Sequence, residues 1–75
     1  MEADREVDAI GLLCPLPVLK ARKVLEAMEP GQVLRLLASD KMAAVDLPLF
    51  CREAGHEFLG ATDVDGGTAY LIRRS

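Results

Sequence analysis

"GLLCPLPVLK", residues 11–20, is the stretch on which the architecture turns, because a strand pattern ends in front of it and a helix pattern begins inside it. Upstream, "REVDA" at 5–9 reads as a short first strand, and "IGLLC" at 10–14 reads as the turn leaving it. From Pro15 to Met28 the spacing is helical. Val18, Ala21, Val24, Leu25 and Met28 recur on one face, while Arg22, Lys23, Glu26 and Glu29 fall elsewhere. The two prolines fit a helix start: Pro15 at the first helical position has a suitable φ. Pro17 lies within the first turn, where no N–H has an intrahelical partner. On that placement Cys14 is the N-cap.

Working outward, "EPG" at 29–31 stops the helix. "QVLRLLA" at 32–38 follows as a largely buried strand. "SDK" at 39–41 offers Ser39 or Asp40 as the next N-cap. Pro48 then interrupts the pattern, and resetting the helix with Asp46 as N-cap places that proline in the first turn. Leu47, Phe50, Cys51 and Ala54 share a face, and Gly55 is the C-terminal stop. Strands at 56–64 and 68–74 close the chain across a "DGG" turn.

The order is β-α-β-α-β-β. Two strands flanking a helix should be parallel with a right-handed crossover, and the last two should form an antiparallel hairpin. The expected fold is a two-layer α/β (α+β) sandwich, with a four-stranded mixed sheet and both helices on one face.

With 75 residues, positions 1–75 are expected to form a single domain. A chain of this size buries only about 60% of the surface its unfolded form exposes. Any site is therefore shallow, and a macromolecular partner completes it. The net charge is −3 and the pI about 5.0, so no general attraction to nucleic acid is expected. The acidic start "MEADREVDAI" has no apolar core of a signal peptide, and no apolar run is long enough to span a bilayer. The expectation is a cytoplasmic protein with no membrane association and two free thiols, Cys14 and Cys51.

Those thiols differ in setting. Cys51 lies on the apolar face of the second helix beside Leu47 and Phe50, where a cysteine packs as a small hydrophobe. Cys14 lies at a loop-to-helix junction. The positive end of the helix dipole there is expected to lower its pKa toward about 7, raising the thiolate fraction at neutral pH from a few per cent to roughly half. The thiolate is the nucleophile, and the prolines hold it in a fixed, exposed place.

"VDAIGLLCPLP" resembles the signature of the TusA/SirA-like sulfur-carrier family, Asp-x-x-Gly-x-x-Cys-Pro-x-Pro, at Asp8, Gly11, Cys14, Pro15 and Pro17. "DLPLFCREAGHEF" resembles that family's Asp-Ile-Pro-x-Phe-Cys segment, with Leu47 in the isoleucine place. Asp40 is followed by Lys41 where many relatives have Asp-Pro, and Leu16 stands where some have glutamate. The resemblance covers nearly the whole chain and implies the same β-α-β-α-β-β fold. It also implies sulfur relay, in which Cys14 takes sulfane sulfur as a persulfide from a cysteine desulfurase or a rhodanese-like protein. Cys14 then hands the sulfur to a downstream acceptor, in tRNA thiolation or other sulfur metabolism. No metal or organic cofactor is implied.

Around the thiol, Leu16 and Leu19 point away from the core stripe, and Lys20 and Lys23 share their side. They form either an apolar docking patch with a basic fringe or a surface partly covered by the "IGLL" loop. Gly11 is read as permitting the loop conformation. Asp8 either hydrogen-bonds loop amides and holds Cys14 in place, or opposes thiolate formation by its charge. A zinc site is not expected, since His56 is the only histidine and a structural site takes four ligands. His56 is instead read as capping the second helix or starting the third strand. The competing function is a non-enzymatic adapter or a thiol redox sensor on the same fold.

Overall fold

The computed structural model describes residues 3–75. Met1 and Glu2, part of the acidic start read above for a leader, lie outside the described residues. The elements run β1 (Arg5–Ala9), α1 (Leu16–Glu26), β2 (Val33–Ala38), α2 (Ala43–Ala54), β3 (Glu57–Val64) and β4 (Gly67–Arg73). The sheet order is β1-β2-β4-β3. β1 and β2 are parallel, with Ala9 opposite Ala38 at their carboxyl ends, and β4 pairs antiparallel with both β2 and β3. This is the mixed four-stranded α+β sandwich that the element order implies.

One face of the sheet carries the core. Leu34 and Leu36 of β2 lie opposite Ile72 and Tyr70 of β4, and all four are buried. Ala21 and Leu25 of α1, Met28 just beyond it, and Leu47, Phe50 and Cys51 of α2 close over them. Each fully buried leucine or isoleucine contributes about 1.5–3 kcal/mol of transfer free energy, so this seam dominates stability. Ala54, expected on the same face, is exposed, because the helix ends there and Gly55 turns the chain away at φ +82°. The other face carries the cross-strand ion pairs Arg35–Glu6 (2.7 Å) and Arg73–Glu57 (2.9 Å). Both are largely solvated and add little.

Several boundaries move. α1 begins at Leu16 with Pro15 as N-cap, so Cys14 stands one residue outside the cap position expected for it. Its last turn tightens, with Ala27 donating to Val24 O and Met28 to Leu25 O. Arg74 leaves β4 and donates Nε–H to the Leu25 carbonyl at 2.7 Å, a second donor to that oxygen beside the Met28 amide, and places its positive charge at the helix C-terminus.

α2 starts earlier than the proline implied. Met42 is its N-cap, and Asp46 is not: its N–H donates to Met42 O at 2.8 Å inside the helix. Neither Ser39 nor Asp40 is the N-cap, although Asp40 Oδ1 accepts from the Met42 amide at 3.1 Å. Pro48 therefore lies within the helix. It removes the donor that would serve the Ala44 carbonyl, but Ala44 is exposed and solvent meets that need. Burial of Ala43, Leu47, Phe50 and Cys51 outweighs the local rule.

His56 precedes β3. Its amide donates to Cys51 O at 2.8 Å, closing α2, and its Nδ1 accepts from the Ser75 amide at 3.1 Å. At Gly67, the first residue of β4, a Cβ would collide with the Ala38 carbonyl oxygen.

Candidate functional site

Two parallel strands put the loops that follow them at one end of the sheet, which is where α/β folds gather chemistry. Here the loop after β1 carries Gly11 and Cys14, and the loop after β2 carries Ser39 and Asp40. The two are laced together: the Gly11 amide donates to Ser39 Oγ at 2.8 Å, and the Cys14 amide donates to Asp40 Oδ2 at 2.6 Å. Gly11 has φ +85°, as its proposed loop role requires. Asp8 Oδ1 accepts from the Ile10 amide at 2.9 Å, one of the loop amides its first reading named. The Cys14–Pro15 peptide is cis, and Pro17 is fully buried at the start of α1.

Cys14 is exposed, and its Sγ–H donates to Oδ2 of Asp46 at 2.9 Å. The expectation of a thiol acidified by the helix dipole is overturned. The hydrogen bond to Asp46 raises the Cys14 pKa above the ordinary thiol value, with desolvation and the charges of Asp46 and Asp40 adding in the same direction. The Leu16 amide, the first N–H of α1, is spent on Leu13 O at 2.9 Å. Nothing in local sequence announces Asp46 as a partner of Cys14. The one available signal is that Asp46 opens "DLPLFCREAGHEF", the second segment that carries the family resemblance.

Cys51 behaves as expected for a core cysteine: it is buried, and burial pushes its pKa up to about 11. A groove of about 520 Å³ runs from Cys14 between the helices, with Val18 and Arg22 on one side and Asp46, Phe50 and His56 on the other. The Arg22 guanidinium lies 5.6 Å from the Phe50 ring centroid. His56, tilted against Phe50 at 5.8 Å, has its pKa lowered by burial and by the Arg74 charge.

Leu16 and Leu19 are each 47% exposed, so the "IGLL" loop does not cover them, and Lys20 and Lys23 are exposed as well. The loop adds to the patch instead, with Leu13 at 69% exposure. Sequence reasoning missed the matching side of α2, where Met42, Val45 and Leu49 recur at helical spacing and are exposed. That signal was present as a second apolar periodicity beside the core stripe. Among the described residues, no three His, Cys, Asp or Glu side chains gather as metal ligands. Among them too, no helix is long and apolar enough to cross a membrane.

A family model described as sulfurtransferase TusA matches residues 5–74. The sulfur carrier protein TusA of Allochromatium vinosum is 42% identical over 72 residues, covering 96% of this chain and 95% of that protein. A putative sulfur carrier protein of Neisseria meningitidis serogroup A is 48% identical over 67 residues, covering 89% and 90%. A crystal structure of a SirA-like protein from Desulfitobacterium hafniense superposes with a TM-score of 0.77 at 26% identity, covering 92% of this chain and 93% of that one.

Proposed function

This chain belongs to the sulfurtransferase TusA family, a family of sulfur carriers, and on that premise we propose that Cys14 is the residue on which it carries sulfur. The observation that supports this most is the exposed Cys14 thiol at the carboxyl end of the two parallel strands, at the mouth of the interhelical groove. Asp8, Gly11, Pro15 and Pro17 shape the loop that presents it.

The step is an exchange of one sulfur–sulfur bond for another. The Cys14 thiol gives up its proton to solvent, and the thiolate attacks the outer sulfur of a donor persulfide. The Cys14–sulfur bond forms as the donor's own sulfur–sulfur bond breaks. The donor cysteine leaves as a thiolate and takes up a proton, so there is no net oxidation. The reverse arrangement, with Cys14 as leaving group, delivers the sulfur to an acceptor. A cysteine desulfurase or a rhodanese-like protein in the cytoplasm fits as donor, and a tRNA-thiolation relay is one fitting outlet. The protein works as a carrier: its partners supply most of the chemistry. Leu16 and Leu19, fringed by Lys20 and Lys23, form the docking face, which Leu13 and Val45 extend.

The test is intact-protein mass spectrometry after incubation with cysteine and a cysteine desulfurase. A reductant-sensitive gain of one sulfur atom is expected on the wild type and not on Cys14→Ser. Sulfenylation by peroxide without sulfur uptake would point to a redox sensor. Partner binding unaffected by Cys14→Ser, with no uptake, would point to an adapter.

A further inference from the structure

The two carboxylates beside Cys14 are employed differently. Asp40 is fully committed to backbone, taking the Cys14 amide on Oδ2 and the Met42 amide on Oδ1. Asp46 is not. Among the described residues, its carboxylate has one hydrogen-bond partner, the Cys14 thiol, and no ion-pair partner. It sits half-buried on the wall of the groove that leads to the sulfur.

We propose that Asp46 is a specificity-determining residue of sulfur uptake: its carboxylate holds the Cys14 thiol protonated in the free carrier, and docking of the sulfur donor breaks that contact. The inference rests on the sulfur-carrier reading of Cys14. An S–H aimed at Asp46 is a poor nucleophile, and the neighbouring negative charge opposes the ionisation that would make it a good one. Opening the contact requires a hydrogen-bond donor that competes for the carboxylate. The charged groups along the groove are Arg22 and Glu26 from α1, Glu53 from α2, and His56 after it. Arg22 is stacked on Phe50, and among the described residues no cation pairs with Asp46. The competing N–H groups therefore arrive with the docked protein. Small oxidants and electrophiles have no docked surface to hold a donor against the carboxylate, so they meet the thiol in its unreactive form. Once the carboxylate is engaged, the thiol ionises and the bond exchange described above proceeds unchanged in its atom balance.

Asp46→Asn keeps shape and removes charge. Two rates are compared with the wild type near neutral pH: alkylation of Cys14 by iodoacetamide, and persulfide loading from a cysteine desulfurase with cysteine. Alkylation is expected to rise at least about threefold, with its pH midpoint moving down. Loading from the protein donor is expected to stay within about twofold or to fall, because docking already opens the contact in the wild type. The ratio of loading to alkylation therefore drops. Alkylation no faster than the wild type, or both rates rising by the same factor, would overturn the proposal. Asp46→Ala gives the same readout if the amide disturbs the start of α2. Should the wild type take no sulfur at all, the carrier reading fails, while the alkylation profile still shows whether Asp46 holds the thiol.

Discussion

The sulfur of Cys14 lies 2.9 Å from Oδ2 of Asp46, a residue 32 positions further along the chain and in a different helix. The contact exists because β1 and β2 run parallel, which places the starts of both helices at the same end of the sheet. It sets the reactivity of the thiol against the dipole of its own helix.

The wild-type thiol should titrate high. A raised pKa means the protonated form is favoured in the folded protein, so the thiolate fraction near pH 7 is below that of an ordinary cysteine. The iodoacetamide rate should climb without a plateau up to about pH 9. A plateau below about pH 8 would show an acidified thiol instead. Only Cys14 should react in the native protein, with Cys51 labelled once denaturant opens the core.

Asp40→Ala removes one carboxylate from two amides, those of Cys14 and Met42. The expected cost is about 1–2 kcal/mol, read as a lower urea midpoint with an unchanged slope. A variant as stable as the wild type would mean the loop lacing adds nothing.

The core and the docking face should separate in mutagenesis. Leu36 is fully buried, and Leu36→Ala is expected to cost about 2–5 kcal/mol. Leu13 is exposed, and Leu13→Ser should change stability by no more than about 0.5 kcal/mol. The same Leu13 change should slow sulfur loading from a protein donor and leave iodoacetamide alkylation unaltered.

Gly67→Ala places a methyl group against the Ala38 carbonyl at the β2–β4 pairing. Backbone cannot yield as a flexible side chain does, so a loss of about 1–3 kcal/mol is expected in thermal or chemical melts.

His56 makes the fold sensitive to mild acid. Its folded pKa is below the unfolded value of about 6.5, so the folded state binds the proton less tightly. The stabilisation is complete above that value and is lost as pH falls through the folded one. Protonation also ends acceptance of the Ser75 amide by Nδ1. Tm should fall between about pH 7 and pH 5, and His56→Gln should flatten that slope.

The six elements, their order, the core stripe of α1, the Leu47, Phe50 and Cys51 stripe of α2 and the hairpin turn at Asp65 and Gly66 were readable from the chain. Periodicity and turn chemistry depend on neighbours a few residues apart, and the sequence carries those directly. The place of Cys14 in front of a helix was readable for the same reason, as was the core role of Cys51. Tertiary structure alone decided the protonation of Cys14, because Asp40 and Asp46 reach it only through packing across the parallel strands. It also decided where α2 begins: burying Ala43 and Leu47 outweighs an internal Pro48 that a local rule would exclude. Contacts between residues far apart in the chain arise when the sheet forms, and their energies can then overrule preferences set by nearest neighbours.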